Sequence, residues 1–330
     1  MFYNMYMGKS VKCELCPTEC VLKDYQIGGC RVRINKGGVL YSLVYGKPCA
    51  VAVDPIEKKP FFHFLPATTA FSIATAGCVL SCKFCQNWQI SQARPEETDN
   101  YNLMPEDVVR KAIFYGCRSI TYTYTEPTIF YEYMFDTARI AKSLGIKNTM
   151  HSCGYINEKP LKNLSPYMDA ADVDLKAFTE DFYSRICGGK LKPVLDSLIM
   201  LKREGVWLEI TNLVIPTLND DMKEIKEMCR WIVRYLGPDV PLHFSRFFPY
   251  YKLKELPPTP LQTIKEARTV AMDAGLKYVY IGNIRSEAEN TCCSKCKKIL
   301  IERIGYFVKQ NTISGGKCSY CGTVIPGIWS

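Results

Sequence analysis

The chain has 330 residues, 47% hydrophobic and 23% charged, which excludes a disordered tail and suits one large core with small appendages. Its formal net charge of +9 is spread along the sequence rather than gathered in one basic block, which argues against nucleic acid and for a solvated surface, with a patch for an acidic electron donor or an anionic substrate as the functional reading. The start lacks a secretory pattern, no apolar run approaches membrane-spanning length, and many of the 17 Cys fall in or beside C-x-x-C clusters, so the sequence predicts a cytoplasmic protein, away from membranes, that binds metal in a reducing compartment.

Residues 1–60 form a first predicted unit. Cys13-x-x-Cys16-Pro-x-x-Cys20 is followed by Cys30, Gly28, Gly29, Gly37 and Gly38 mark turns, and Val39 to Tyr45 reads as a short strand. Four thiols with little apolar sequence around them describe a metal-stapled module. A zinc ion and a second 4Fe–4S cluster both accept four Cys, and the spacing decides neither. Cys49 reads as a small buried hydrophobe.

Residues 61–285 alternate strand-like and helical stretches. Strands are predicted at 70–76, 119–125, 147–152, 170–175, 207–214, 242–247 and 278–282, and helices at 105–115, 128–144, 158–164, 193–204, 222–235 and 261–274. This alternation gives a parallel sheet with right-handed crossovers. Six or seven units predict an α/β fold with a partial (β/α)6-type TIM barrel. Residues with chemical capacity follow the strands: Cys78, Cys82 and Cys85 after the first, Glu126 after the second, His151 and Cys153 at the third, Asp174 and Lys176 at the fourth, then Asn212, His243, Arg246 and Asn283. Active sites of such barrels sit at that carboxyl end.

The triplet Cys78-Val-Leu-Ser-Cys82-Lys-Phe84-Cys85 is the most informative of these. Three thiolates suit a 4Fe–4S cluster with one iron left open, and an open iron can chelate the amino and carboxylate groups of S-adenosylmethionine (SAM). The competing readings are a structural role or a zinc site. From residue 286 to 330, Cys293-Ser-Lys-Cys296 and Cys318-Ser-Tyr-Cys321 flank a hairpin at 299–310, a zinc-ribbon pattern. A single iron is the alternative there, and Cys292 the alternative ligand to Cys293.

The triplet running into Cys85-Gln-Asn-Trp88, together with Asp54-Pro-Ile-Glu-Lys-Lys-Pro60 and Ser245-Arg-Phe-Phe-Pro249, resembles the radical SAM superfamily, and within it the AmmeMemoRadiSam system radical SAM enzymes, relatives of the glycyl radical enzyme activases. The resemblance implies an open partial barrel and an enzyme that cleaves SAM reductively to methionine and a 5′-deoxyadenosyl radical, which abstracts hydrogen from a protein or small molecule. It also implies a reducing donor of ferredoxin or flavodoxin type, and association with Memo-like and AMME-type proteins. Phe84 is read as the apolar neighbour on which adenine packs, and Asn283, after the last strand, as a cofactor-binding residue; by the same resemblance Glu126 takes the SAM amine, Asp174 and Lys176 hold SAM with Lys176 on its carboxylate, and His243 and Arg246 approach SAM or substrate. Each has a plainer reading: a core Phe, a helix-start carboxylate, a strand-end ion pair, a satisfied structural His. Cys153 stands where the family carries Asn, and Cys117, Cys187 and Cys229 read as core. Two other functions stay open: a glycyl radical activase, and a zinc-stabilised module that binds nucleic acid or protein.

Overall fold

The structure is a computed structural model and describes residues 2–330. Its N-terminal part holds two small sheets. Strands β1 (Tyr3–Met5), β2 (Val11–Cys13) and β3 (Val21–Leu22) pair antiparallel, and β4 (Arg33–Lys36) and β5 (Val39–Ser42) form a hairpin through Gly37 and Gly38, both at positive φ. A turn with two successive left-handed residues is one that glycine enters without penalty.

The main sheet has eight strands in order β13-β12-β11-β10-β9-β8-β7-β6. Seven are parallel: β7 (Thr69–Ala74), β8 (Ser119–Tyr122), β9 (Lys147–Ser152), β10 (Ala170–Asp174), β11 (Trp207–Val214), β12 (Leu242–Arg246) and β13 (Val279–Gly282). Their residues are mostly buried on both faces, so they lack the strict polar–apolar alternation of a half-exposed sheet. The eighth, β6 (Ala50–Pro55), pairs antiparallel with β7 at the edge. Among the described residues no pairing joins β6 to β13, so the barrel stays open.

Helices α1 (Trp88–Ser91), α2 (Pro105–Phe114), α3 (Tyr131–Ser143), α4 (Glu158–Leu164), α5 (Glu180–Phe182), α6 (Leu191–Arg203), α7 (Met222–Tyr235) and α8 (Leu261–Asp273) fall between the parallel strands. In α7 the Asp221 carboxylate accepts from Lys223 N at 2.6 Å, and Ile225, Met228, Cys229 and Ile232 make one buried stripe at i, i+3, i+4 and i+7. Each such apolar side chain contributes about 1.5–3 kcal/mol on burial. Pro105 starts α2, where its missing N–H costs nothing. No helix is long and apolar enough to cross a membrane.

The predicted strands and helices are present with shifts of a few residues; short elements such as β1–β4, α1, α5 and the strand Thr291–Cys292 are additional, and three features bear on the site. The edge strand β6 was not expected within residues 1–60. The segment Tyr183–Cys187, directly after α5, is a π-helical turn. The expected helix at 128 opens instead with a 3-10 turn, Pro127–Phe130. The C-terminal part is a three-stranded antiparallel sheet, β14 (Thr291–Cys292), β15 (Ile299–Ile304) and β16 (Phe307–Asn311), carrying the expected hairpin.

Candidate functional site

A cavity of about 530 Å³ opens over the carboxyl ends of the parallel strands. Pockets of this size accommodate a cofactor the size of SAM. It brings together Cys78, Cys82, Phe84, Cys85, Glu126, Asp174, Lys176, His243 and Asn283, drawn from five of the seven parallel strands and their following loops. Arg246 does not join them, since its Nε donates to Thr259 O at 2.8 Å and its guanidinium lies on Phe248. Asn283 does, held at φ 61° with its amide on Arg246 O. Asn tolerates that left-handed geometry well.

The three thiols ride one loop after β7, and two backbone hydrogen bonds clamp it to the π turn: Ser81 N donates to Cys187 O at 2.8 Å and Lys83 N to Ile186 O at 3.0 Å. Cys85 Sγ meets Ser91 Oγ at 3.2 Å and Cys78 Sγ accepts from Leu80 N at 3.4 Å. Burial pushes all three thiols up, and in Cys82 contact with Cys187 is the larger cause. Soft thiolate donors on a cavity wall, too dispersed for one ion, match a 4Fe–4S group in which each thiolate takes its own iron.

Beside the thiol loop the same cavity carries a charged row. Lys176 Nζ donates to Asp174 Oδ2 at 2.7 Å, and His151 bridges Asp172 through Nδ1 and Asp174 through Nε2 at 3.6 Å. Burial opposes charge on Lys176, but Asp174 outweighs it and raises the lysine well above its usual range; Asp174 is held low by Lys176 and His151. His151 is pushed up to about 10, the two aspartates overcoming burial. The Phe84 ring lies 5.7 Å from Lys176 Nζ.

Glu126 is 3% exposed and takes four donors: Thr128 N and Oγ1 and Ser152 Oγ donate to Oε1 and Cys153 N to Oε2, at 2.7–3.1 Å. Its helix-start role is therefore realised, with lone-pair capacity left on Oε2. His243 Nε2 bonds Glu209 at 2.7 Å, and Glu209 also accepts from Phe62 N and His63 N, so this His braces the barrel floor while lining the cavity. A second group went unremarked in the sequence. Asp54 takes Lys58 and Lys59 and the Tyr124 hydroxyl, and Asn87 Nδ2 donates to Tyr124 O at 2.8 Å, holding Tyr124 at φ 63°. Lys59 is lowered to about 8 by burial, against Asp54. The signal was the Asp54–Pro60 motif, whose resemblance named no chemical task.

At the C terminus, Cys293, Cys296, Cys318 and Cys321 bring their sulfurs within 4.8 Å of one another, and Cys292 is not among them. Cys293–Cys321 is 3.6 Å and Cys296–Cys318 is 3.7 Å.

An open parallel α/β barrel with three thiols at its mouth defines the class of enzymes that start radicals from a cluster and SAM. Sequence comparison agrees, since residues 72–232 match the profile of the Radical SAM superfamily. The chain is 45% identical over 328 residues to Uncharacterized protein MJ0808 of Methanocaldococcus jannaschii, covering 98% of each. It is 24% identical over 165 residues to the Pyruvate formate-lyase-activating enzyme of Clostridium pasteurianum, covering 47% of this chain and 66% of that one. Among solved structures, a radical SAM methyltransferase from Sphaerobacter thermophilus superposes with TM-score 0.51 at 16% identity over 72% of this chain and 71% of that one, a likeness of fold. The chain belongs to the radical SAM superfamily, whose members are enzymes that use a 4Fe–4S cluster and SAM.

Proposed function

We propose that Cys78, Cys82 and Cys85 ligate the radical-forming cluster and that SAM binds in the 530 Å³ cavity against Phe84, Glu126, Asp174 and Lys176. The observation that carries this reading is the convergence of three thiols and a charged Asp–Lys pair on one cavity wall. When bound, the cluster supplies one electron to the sulfonium, which yields methionine and a 5′-deoxyadenosyl radical. The chain's own residues bind and orient. Lys176, kept protonated by Asp174, attracts the methionyl carboxylate as a point charge. Glu126 Oε2 accepts from the amine, Phe84 offers adenine an apolar face, and Asn283 and His243 border the space left for substrate. The protein works in the cytoplasm with a low-potential donor of ferredoxin or flavodoxin type, and Memo-like and AMME-type proteins are its partners. The C-terminal quartet holds zinc, whose thiolate ligands at about 2.3 Å lie about 3.8 Å apart in a tetrahedron.

The test is anaerobic reconstitution, reduction with dithionite in the presence of SAM, and quantification of 5′-deoxyadenosine. Wild type forms it, and Cys82→Ala falls at least about 100-fold because the cluster loses a required ligand. Equal product from the variant overturns the ligand assignment. Similarity to activating enzymes supports a second reading, in which the radical passes to a glycine of a partner protein. A glycyl radical doublet on a candidate partner separates that outcome from turnover of a small molecule.

A further inference from the structure

The cysteines at the two ends of the chain are arranged differently. The C-terminal sulfurs have collapsed to zinc-like separations. Among the described residues no three of Cys13, Cys16, Cys20 and Cys30 lie within 4.8 Å of one another, and the four instead line a cavity of about 230 Å³. A zinc ion fills the space between its thiolates; a cluster that gives each thiolate its own iron needs them spread around a void. Cys78, Cys82 and Cys85 show the same dispersal.

A second observation is independent of the thiols. Arg33 lines this cavity and is 3% exposed. Its terminal nitrogens reach Glu132 at 2.6 and 3.0 Å and Ile129 O at 3.3 Å, but its buried Nε–H has no acceptor in the protein. Such a donor is costly to leave unpaired. A cluster sulfide or thiolate beside it supplies the acceptor.

We propose that Cys13, Cys16, Cys20 and Cys30 hold a second 4Fe–4S cluster that delivers electrons to the first. The delivery step rests on the reading of Cys78–Cys85 given above; the second cluster itself does not. Cys78 and Leu80 line both cavities, so a single turn of backbone separates them. The outer rim, at Thr18 and Gly29, is exposed to an approaching donor. In each cycle a one-electron donor protein of flavodoxin class reduces the N-terminal cluster from 2+ to 1+. That cluster returns to 2+ as the radical-forming one goes from 2+ to 1+, and no proton moves.

The full chain carrying Cys78→Ala, Cys82→Ala and Cys85→Ala keeps all four N-terminal cysteines and Arg33 and tests the site without reference to turnover. After anaerobic reconstitution it should hold about four iron and four sulfide, against about eight of each in wild type. Its reduced electron paramagnetic resonance signal should ignore SAM, because every iron already has a thiolate. Zinc in place of iron in this variant, or an iron-free site, overturns the proposal. In Cys16→Ala/Cys30→Ala, the ratio of 5′-deoxyadenosine formed with reduced flavodoxin to that formed with dithionite should drop about tenfold; an unchanged ratio overturns the relay. Failure of the Cys78–Cys85 reading looks different: the triple variant would then keep the full iron of wild type.

Discussion

His151 shows how a single residue escapes a sequence reading. It stands at the end of a strand where function was expected, yet nothing in its neighbours along the chain announces two aspartates, because Asp172 and Asp174 arrive from the next strand by register. Alternation placed Asp174 and Lys176 on one face, and that pair is formed as expected. The added imidazolium makes a row of alternating charge beside the cavity. With its pKa raised from 6.5 to about 10, His151 is protonated in both folded and unfolded chains below pH 6.5. Between 6.5 and 10 only the folded chain keeps the proton, so this contribution to stability is full at the acid end and lost as pH rises through 10. The chain has three His, which makes the ring resonances assignable by Asn or Gln replacement. Nuclear magnetic resonance of the histidine-labelled protein should show the His151 ring still protonated at pH 8.5. A ring that titrates with the ordinary value near 6.5 would sink the assignment of its charge.

At the level of elements, the seven parallel strands and their helices were legible from two signals: short β-branched and aromatic runs recurring between helical stretches for the sheet, and a 3.6-residue stripe for the helices. Strand β6 was not, since all but Asp54 of its six residues are partly or fully exposed and its antiparallel pairing at an edge is set by β7 rather than by its own pattern. The π turn at Tyr183–Cys187 has no sequence period at all, though such turns are frequent at functional sites. Gly77 joins these elements. It has φ 92°, and a Cβ there would meet Cys30 O at 2.4 Å and Val32 Cγ1 at 2.7 Å. The N-terminal module thus seats directly on the residue before Cys78. Gly77→Ala adds the left-handed backbone penalty, about 1 kcal/mol or more, to an overlap with backbone that cannot swing aside. The expected outcome is a lowered unfolding midpoint and a loss of iron in wild-type reconstitution conditions. Gly145→Ala, at φ 74° with open space around it, carries the backbone penalty alone and serves as the control; equal iron loss in both variants would remove the packing role given to Gly77.

Across the whole molecule, the C-terminal module is tied to the wall of the cavity by buried polar contacts rather than by apolar area alone. Arg303 donates to Phe62 O at 2.8 Å and to Thr291 Oγ1 at 2.8 Å, Tyr280 OH meets Thr291 Oγ1 at 2.9 Å, and His63 spans Tyr280 OH and Pro326 O at 2.6 Å each. Phe62 lines the cavity and its N–H rests on Glu209, which also holds His243. Long-range partners of this kind, such as Phe62 with Arg303 across 241 residues, have no local pattern, so the C-terminal four-cysteine cluster was legible and its place beside the cavity wall was not. The order of contacts predicts what loss of the C-terminal metal does. Without it, β14 and β15 lose their anchor, Arg303 releases Phe62 O, and the segment at 60–65 loosens beside the bound SAM. Cys293→Ser should therefore lose about one zinc per chain, lower the unfolding midpoint by about 5 °C or more, and weaken SAM binding several-fold in equilibrium dialysis, while Cys292→Ser keeps its zinc and binds as wild type. A Cys293→Ser protein that binds SAM normally would mean the module stabilises only itself, and the wall of the cavity would then owe its position to Glu209 and the barrel floor.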